Sequence, residues 1–359
     1  MRVVQIVPTL AYGDAIGNEV FAFKRLIKSL GYITEIYTSS IVPPLNRKCA
    51  KLIDNKINFS ESDIIIYHLS TGSKLNYQLA EFKGRKVVVY HNVTPPDFFE
   101  PYDRASYNLN TEAMKEVKFL ADKVDYCLAD SEFNKQDLIN LGYKCKIDVL
   151  EILLSFDEYK KKPNLQTLSF YADNRVNLLF TGRIAPNKKI ENIISTFYQY
   201  KKNYNPSARL FLVGSYKDGD LYYRKLMKYI KELKLSDVIF TGHIPFDEIL
   251  SYYKLADVFL CMSEHEGFCV PLVEAMLFDV PILAYDKCAI KDTLSGAGIL
   301  FENNDPLYTA ALVDRIVRDE SLKRKNIYNQ QKRLQDFQTK KIATKFEYFI
   351  KKFIAGEQT

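Results

Sequence analysis

The chain of 359 residues is too long for one ordinary hydrophobic core, and two domains of about 150 to 200 residues are expected. Apolar residues make up 47% and charged residues 26%, a balance typical of a soluble globular protein and not of a disordered or fibrous one. The formal net charge of +6 is a mild excess, which fits acidic small molecules, an anionic membrane surface or nucleic acid without choosing among them.

Compartment is indicated by the cysteines and by the first residues of the chain. Six cysteines are scattered without metal-ligand spacing, so we expect free thiols, mostly buried, in a reducing cytosol. Residues 1–7 enter a strand pattern at once and lack the apolar segment and cleavage site of a signal peptide. No apolar run approaches the ~20 residues of a spanning helix. The predicted location is the cytoplasm, and any membrane contact would be peripheral, at the inner face.

The first half of the chain alternates short apolar runs with amphipathic stretches. One such stretch, residues 18–30, ends before Gly31, a residue typical of helix C-termini. The runs that read as strands are residues 3–7, 33–38, 63–69, 86–91, 126–130 and 147–150. This alternation predicts a doubly wound parallel sheet.

A looser polar stretch, residues 154–174, interrupts the alternation and predicts a domain boundary, with one domain over 1–165 and a second over 166–335. In the second half, the predicted strands are residues 176–181, 209–213, 238–241, 257–262, 281–284 and 298–301. Ligands of open α/β sheets bind at the carboxyl ends of strands, so loops of both halves are expected to meet at a cleft.

The end of the chain is strongly basic and has a helical period over residues 321–353. We expect a solvated helix face there in preference to a membrane or nucleic-acid contact. Residues 336–359 are predicted to form a C-terminal helix that packs back on the N-terminal domain.

Residues 263–281 read as the end of a strand, a loop and the start of a helix. Pro271 suits the first helical position, and Glu274 would then lie in the first turn. With Glu266 in the loop, two carboxylates bracket a turn whose amides can take an anion, while the carboxylates accept hydrogen bonds from hydroxyls. A nucleotide sugar offers both groups. The alternative is that Glu274 only complements the helix dipole and Glu266 is a solvated charge.

A second group of charged residues follows the first strand of the second half. Arg183 leaves the strand and Lys188 stands at the next helix start, so both cations could converge on one anion. They would suit a diphosphate that must leave with negative charge. Either cation alone would more simply be a solvated surface charge.

Two weaker signals lie in the first half. Residues 13–19 form a glycine-containing loop at a helix start, which can approach a phosphate but lacks the spacing of a nicotinamide or flavin fingerprint. His91 ends a strand and could hydrogen-bond a sugar hydroxyl, although a lone histidine usually has a structural role.

The stretch Asp218-Gly219-Asp220 looks like a metal-binding carboxylate pair. We interpret it as a turn followed by a helix N-cap, because it lies just after a strand exit. No other carboxylate cluster supports a metal, so no metal site is predicted.

Together, the residues from Glu266 to Glu274, the pair Gly182-Arg183 and Lys188 resemble the retaining glycosyltransferases of family 4, within the glycosyl transferases group 1. The resemblance implies an α/β GT-B fold, with two Rossmann-like doubly wound parallel-sheet domains facing a central cleft. It implies a hexosyltransferase that moves a sugar, with retention, from a nucleotide-diphosphate sugar to a glycan or lipid-linked acceptor in cell-surface polysaccharide synthesis. GDP-mannose or a UDP-hexose is the favoured donor. No metal or other cofactor and no nucleic-acid partner is expected.

The same resemblance implies roles by position. Glu274 would bind the ribose hydroxyls, and Glu266 would bind the hydroxyls of the transferred sugar. Arg183 and Lys188 would hold the diphosphate and stabilise its departure. The other implied donor contacts are Gly17 under the diphosphate, His91 near the reacting carbon of the sugar, and Gly182 with the amides of Phe268, Cys269 and Val270.

Two residues depart from the family pattern. Cys269 and Lys189 stand where many relatives have glycine; we expect the first to narrow the sugar pocket and the second to matter little. Two other functions stay open on the same scaffold, a nucleotide-sugar epimerase and a non-catalytic sugar-nucleotide-binding protein. An apolar loop at residues 97–102 could face an acceptor or a membrane, or pack on its own domain.

Overall fold

The structure, a computed structural model, describes residues 1–11, 13–54, 57–216 and 219–357. The chain divides into two compact units, and neither is continuous in sequence. Unit 1 is assembled from Met1–Pro96, Ala105–Ser155 and Phe337–Thr359, and unit 2 from Asp97–Arg104 and Phe156–Asp336.

Each unit contains one sheet whose paired strands are all parallel. The strands of unit 1 are β1 Val3–Leu10, β2 Ile36–Ile41, β3 Lys51–Leu52, β4 Ile64–Leu69, β5 Arg85–Tyr90, β6 Tyr126–Ala129 and β7 Lys146–Val149. Those of unit 2 are β8 Asn177–Thr181, β9 Arg209–Val213, β10 Val238–Gly242, β11 Val258–Cys261, β12 Ile282–Tyr285 and β13 Ile299–Phe301.

The helices of the chain are α1 Ala15–Ser29, α2 Lys74–Glu81, α3 Arg104–Phe119, α4 Glu132–Asn140, α5 Leu165–Phe170, α6 Ile190–Asn203, α7 Leu221–Glu232, α8 Phe246–Leu255, α9 Val270–Leu277, α10 Ile290–Leu294, α11 Pro306–Arg318, α12 Glu320–Leu334 and α13 Thr339–Ala355. Short 3-10 helices lie at Pro96–Phe98, Leu120–Asp122, Glu158–Lys160, Pro186–Lys188 and Gln335–Phe337.

Both sheets are doubly wound. The order is β3-β2-β1-β4-β5-β6-β7 in unit 1 and β10-β9-β8-β11-β12-β13 in unit 2. The central strands are almost continuously apolar and buried, as expected for parallel strands covered on both faces. The predicted α/β class, with two Rossmann-like parallel sheets, is therefore confirmed. The short edge strand β3 was not predicted, because two residues carry too little pattern.

The segment with helical period, residues 321–353, is divided in the structure into α12, a 3-10 turn and α13. Helix α13 belongs to unit 1, where Phe346 stacks on Phe23 with ring centroids 4.0 Å apart. Arg85 also donates to the carbonyl of Phe353 at 2.7 Å. Among the helices of the described residues, none combines the length and apolar composition needed to cross a bilayer.

The division between the units differs from the predicted boundary at residue 165. It falls at Ser155 and Phe156, because the following segment is bound to unit 2: the Asn164 amide donates to the Asp247 carbonyl at 3.0 Å. Residues 97–104 also belong to unit 2, where Tyr102 packs against Tyr222 with centroids 5.1 Å apart. The apolar loop predicted at 97–102 is therefore part of unit 2 and not of the unit that surrounds it in sequence.

Candidate functional site

The candidate site lies in unit 2, at the carboxyl ends of β8 and β11. These two strands are neighbours in the sheet, and the strand order runs outward from them in opposite directions. Such a switch point leaves a crevice between the loops that follow the two strands, which is where open α/β sheets bind ligands. Arg183 and Lys188 follow β8, and Glu266 and Glu274 follow β11, so both predicted motifs border this crevice.

Asn187 joins the two loops of the crevice. Its side-chain Nδ2 donates to the carbonyl of His265 at 3.1 Å, and its backbone carbonyl accepts from the amide of Glu264 at 2.9 Å. Asn187 is 4% exposed, and its Oδ1 has no hydrogen-bond partner among the described residues. The loop after β8 is thereby fixed against the loop after β11.

This junction brings Lys188 to Glu266. The Lys188 ammonium lies 2.5 Å from the Glu266 carboxylate, and the two side chains are only 20% and 10% exposed. Burial alone would lower the pKa of Lys188, but Glu266 and the neighbouring Cys269 outweigh it, and the pKa is raised. Lys188 is therefore a firmly charged cation beside a carboxylate, which together can bind a phosphate oxygen and a hydroxyl.

Two thiols lie beside this pair. Cys261, Cys269 and Glu266 offer ligand atoms within 4.8 Å of one another, so they form a possible metal-ligand set. The Lys188 ammonium already bonds to Glu266, however, and a divalent cation placed there would face that positive charge at close range. All six cysteines are free, as predicted, and Cys127, Cys261 and Cys269 are the buried ones.

Arg183 is available to a ligand. Its side chain is exposed and makes no hydrogen bond or ion pair with any described residue. Gly182, just before it, has a φ of 138° and donates its amide to Val213 at 2.9 Å. A Cβ at Gly214, which follows β9, would lie 2.0 Å from the Gly182 carbonyl oxygen, so two glycines allow these strand ends to meet.

Both departures from the family pattern have left-handed backbones. Cys269 has a φ of 73° and Lys189 a φ of 50°, conformations that favour glycine because they bring Cβ close to a carbonyl oxygen. Each residue is the N-cap of a helix, Cys269 of α9 and Lys189 of α6. Lys189 in addition pairs with Glu264 at 3.2 Å.

The start of α9 differs from the prediction. The helix begins at Val270, so Pro271 is its second residue and Glu274 lies beyond the first turn, which contains no acidic residue. Complementing the helix dipole therefore does not explain Glu274, because that effect fades after the first turn.

Glu274 is instead held by two tyrosines. Tyr159 donates to its Oε1 at 2.8 Å and Tyr253 to its Oε2 at 2.7 Å. The Tyr253 hydroxyl also lies 2.6 Å from Thr181 Oγ1, at the end of β8. Burial raises the pKa of Glu274, and the two phenols partly offset the rise. A carboxylate fixed in this way still has lone pairs for ligand hydroxyls.

In unit 1, a side chain of the predicted phosphate loop already accepts a hydrogen bond from one of the loop's backbone amides. Asp14 is the N-cap of α1 and accepts a hydrogen bond from the amide of Gly17. A Cβ at Gly17 would lie 2.0 Å from the carbonyl oxygen of Ala11, so glycine is required for α1 to approach β1.

His91 lies near this loop, but its ring is buried. Its Nδ1 is 2.9 Å from Asp130 Oδ2, and its Nε2 is 3.0 Å from Nδ1 of His68. The carboxylate of Glu19 lies 3.7 Å from the same Nε2. Glu19, His68 and His91 form the second possible metal-ligand set among the described residues.

The predicted turn after β9 is partly described. Asp220 is the N-cap of α7 and accepts from the amide of Tyr222 at 3.0 Å, which confirms the N-cap prediction. Asp218 lies outside the described residues.

The structure thus brings together Lys188 and Glu266 directly, and places Glu274, Gly182 and Arg183 at the same strand ends. Phe268, Cys269 and Val270 lie in the segment that opens α9. His91 and Gly17 belong to unit 1 and lie near one another there, through Asp14. Sequence reasoning missed Asn187, Tyr159 and Tyr253, whose partners are all distant in sequence; only the position of Asn187, next to Lys188, was a signal.

Residues 167–333 match the family model of glycosyl transferases group 1. That segment contains the site residues after β8 and β11 and the tyrosine Tyr253.

Two curated relatives resemble the chain at low identity. The O-antigen chain mannosyltransferase B of Escherichia coli is 22% identical over 256 residues, which cover 68% of this chain and 65% of the relative. The lipopolysaccharide 1,2-N-acetylglucosaminetransferase of Salmonella typhimurium is 26% identical over 274 residues, 74% of this chain and 66% of the relative. The matched part therefore spans just under two thirds of the length of each relative.

A solved structure, the HepE protein of Anabaena in complex with UDP and glucose, aligns with a TM-score of 0.75 at 17% identity, over 98% of this chain and 100% of that chain. At this identity the likeness bears on the fold alone, and it agrees with the two Rossmann-like sheets described above. Over residues 167–333, the chain is therefore similar to the glycosyl transferases group 1.

Proposed function

We propose that this chain is a retaining glycosyltransferase, which moves a hexose from a nucleotide-diphosphate sugar to a glycan or lipid-linked acceptor in cell-surface polysaccharide synthesis. GDP-mannose and UDP-hexoses are the donors we favour. The relatives named for O-antigen and lipopolysaccharide synthesis support the acceptor class, and the complex of HepE with UDP and glucose supports a nucleotide-sugar donor.

The observation that carries the proposal is the ion pair of Lys188 and Glu266 at the switch point of unit 2. Asn187 holds it in place between the two loops, and Arg183, which is exposed and has no charge partner among the described residues, follows the same strand β8. A diphosphate leaving group needs fixed positive charge, and a sugar needs hydrogen-bond acceptors next to that charge. This pair provides both within a few ångströms.

In the proposed reaction, Arg183 and Lys188 bind the diphosphate and stabilise the charge that develops as it leaves. Glu266 accepts hydrogen bonds from hydroxyls of the transferred sugar. Glu274, oriented by Tyr159 and Tyr253, accepts from the ribose hydroxyls. The acceptor hydroxyl attacks on the face from which the phosphate departs, and that phosphate takes its proton. We propose that no metal is needed, because two cationic side chains neutralise the leaving group.

A donor screen tests the proposal. Purified protein is mixed with UDP-glucose, UDP-N-acetylglucosamine and GDP-mannose, with and without a chelator, and its thermal unfolding is followed. We expect at least one donor to raise Tm, equally with the chelator present. The slow hydrolysis of that donor is then followed by NMR, and the first sugar anomer released should have the configuration of the donor.

Two outcomes would contradict the proposal. If no donor of the panel is bound or hydrolysed, the chain is not a sugar-nucleotide enzyme of this kind. If the sugar nucleotide is converted to its epimer without any acceptor, the protein is an epimerase. A double variant, Lys188→Ala with Glu266→Ala, should bind the donor weakly and not hydrolyse it; full activity in that variant would remove the assigned site.

A further inference from the structure

One side of the loop after β11 is bound to the segment that follows β12. Three alternate backbone carbonyls of the loop accept hydrogen bonds from this segment: that of Glu264 from the Cys288 thiol at 3.2 Å, that of Glu266 from the Ala289 amide at 3.4 Å, and that of Phe268 from the Thr293 hydroxyl. Strand β12 lies on the side of β11 opposite to β8. The three carbonyls therefore point away from the loop that contains Lys188.

Thr293 makes the strongest of these three bonds. A thiol is a weak donor, and 3.4 Å is long for a bond between an amide and a carbonyl, whereas a hydroxyl is a full donor. Thr293 is 1% exposed, and its hydrogen bond to the Phe268 carbonyl is buried, so water does not compete for either group.

The position of Thr293 is fixed from α12, although α10 has only five residues. The Arg333 side chain donates to the backbone carbonyls of Thr293 and Asp292, each at 2.9 Å. The last carbonyls of a helix have no partner within the helix, so this guanidinium supplies bonds that α10 cannot make by itself. The Thr293 hydroxyl is thereby held against the loop after β11.

The bond from Thr293 also sets the direction of the next backbone amide. The peptide between Phe268 and Cys269 is trans, so its carbonyl and its N–H point in opposite directions. With the carbonyl turned to Thr293, the Cys269 N–H points to the side of β8, where Lys188 lies. This N–H makes no hydrogen bond with any residue that the structure describes, and Cys269 Sγ lies within 4.8 Å of the Glu266 carboxylate.

The backbone of Cys269 shows that this direction needs support. Its φ of 73° and ψ of 67° lie in the left-handed region, which is unfavourable for a residue with a side chain. Rotating the peptide between Phe268 and Cys269 by half a turn would make that φ negative and ordinary, and would turn the carbonyl to the side of β8. The Thr293 hydroxyl opposes this rotation, because the rotated carbonyl would lose its donor.

We infer that Thr293 is a positioning residue of the donor site, which aims the Cys269 amide at the distal phosphate of a nucleoside diphosphate. This role rests on the proposed function, because the donor supplies the diphosphate. An amide on this side donates to a phosphate oxygen, whereas a rotated peptide would place a carbonyl oxygen against the negative charge. Thr293 should therefore affect the affinity for the distal phosphate and not the affinity for the nucleoside.

The variant Thr293→Val tests this role, because it keeps the shape of the side chain and removes the donor. The ligands are two nucleotide pairs, UDP with UMP and GDP with GMP, since each monophosphate lacks the distal phosphate. In calorimetry, the wild type should bind the diphosphate of at least one pair more tightly than the monophosphate. Thr293→Val should reduce this preference about tenfold, the value of one hydrogen bond to a charged group, while Kd for the monophosphate changes little.

Two further variants separate positioning from stability. Thr293→Ser keeps the hydroxyl and should restore the preference of the wild type. Thr309→Val is the matched control, because Thr309 is 0% exposed and its hydroxyl donates to the Asp305 carbonyl at 3.0 Å, at the start of α11. This control should lower Tm without changing the preference for the diphosphate.

Three results of this experiment would overturn the role of Thr293. The first is a wild type that binds the diphosphate and the monophosphate equally. The second is a Thr293→Val protein that keeps the wild-type preference or loses affinity equally for both nucleotides. The third is the same loss of preference in Thr309→Val. If Thr293→Val does not fold, Thr293→Cys replaces it, because a thiol is a weaker donor; an unchanged preference in that variant also overturns the role.

Failure of the proposed function gives a different result. If the wild type binds neither nucleotide pair, the proposed function fails, and inorganic pyrophosphate then tests the amide alone. The chain has six cysteines, so ¹⁵N-labelled cysteine gives few amide signals, and Cys269→Ser identifies the one of interest. Pyrophosphate should shift the Cys269 amide signal in the wild type and in Thr293→Ser, but not in Thr293→Val. No shift in the wild type, or an equal shift in Thr293→Val, would overturn the inference.

Discussion

The switch points of the two sheets are built in opposite ways. In unit 2, the loops after β8 and β11 present Arg183, which pairs with no residue that the structure describes, and a Lys188–Glu266 pair whose side chains are 20% and 10% exposed. In unit 1, the polar groups near β1, β4 and β5 are buried and bonded to one another, as with His68 and His91. The charged side chains at the switch point of unit 2 can therefore bind a ligand, whereas those near the switch point of unit 1 bind one another and stabilise that unit.

This difference teaches where substitutions should act. Removing a charge from the unit 2 crevice should change ligand binding or turnover, with little effect on the fold, because water can replace it. Removing a charge from the unit 1 cluster leaves a buried partner unsatisfied, so it should change stability and its pH dependence.

The largest effect is expected from Lys188→Ala. Loss of the cation that stabilises the leaving diphosphate should lower turnover by about 10² to 10³-fold, as for other preorganised groups at a developing charge. Donor turnover under saturating conditions measures it. Lys201→Ala is the matched control, because Lys201 is 16% exposed and paired with Asp237 in the same unit. Equal losses in both variants would mean that Lys188 is only structural.

The next effect separates the two glutamates. Glu274→Gln should weaken donor binding by about tenfold or more, the value of a hydrogen bond to a charged group, because the ribose hydroxyls lose a charged acceptor. Glu266→Gln should mainly lower kcat. Calorimetric Kd and steady-state kcat distinguish them. Glu191→Gln serves as control, since Glu191 also accepts from a buried tyrosine, Tyr222. If both variants lose affinity equally, the division of roles is wrong.

Unit 1 should respond to pH through Glu19. Burial raises the pKa of Glu19 to about 8, above its ordinary 4.5, although His91 partly offsets the rise. The folded state therefore keeps a proton that the unfolded state has lost. The retained proton of Glu19 adds to the free energy of unfolding. This contribution is complete below about pH 4.5 and is lost as the pH rises through about 8.

Glu19→Gln should remove this dependence and keep the acceptor for the Leu153 amide, which bonds to Oε1 at 2.9 Å. Relative to wild type, the variant should be more stable at pH 8.5 by on the order of 2 kcal/mol, and nearly equal at pH 5. Tm measured across this range checks the sign. If the Tm of the wild type depends on pH no more strongly than the Tm of Glu19→Gln, the pKa of Glu19 is not raised.

The smallest effects are expected at the left-handed residues of unit 2. Cys269→Gly and Lys189→Gly should each relieve backbone strain, and raise the free energy of unfolding by up to about 1 kcal/mol. Lys228→Gly, at an exposed position inside α7, should instead lower it by about 1 kcal/mol. The Tm values of the three variants test this prediction. A lower Tm for all three variants would show that the side chains of Cys269 and Lys189 make contacts that outweigh the backbone strain.

The sequence predicted most strands of both sheets, because buried parallel strands leave local apolar runs between turn signals. It also placed Arg183, Lys188, Glu266 and Glu274 after the right strands, since position along the chain fixes which strand end a residue follows. Lys188 and Glu266 could therefore be expected near one another before any distance was known.

What sequence could not supply are pairings between segments far apart in the chain. Tyr159 holds Glu274 across 115 positions, and Asn187 holds His265 across 78. His68 showed no pattern of its own, because its importance comes from a register that sets it opposite Val89 of β5, two residues before His91. Such contacts depend on the folded arrangement, and no local periodicity records them.

The discontinuity of unit 1 has a consequence for the order of folding during synthesis. Its core includes Phe346 and Phe353 of α13, which a ribosome makes only after all of unit 2. Until then, the apolar surface around Phe23 and Tyr126 lacks its covering helix, while unit 2 needs nothing made later than Asp336. Unit 2 can thus complete its core first, and a nascent chain stopped near residue 336 should expose an apolar surface on unit 1 that chaperones can bind.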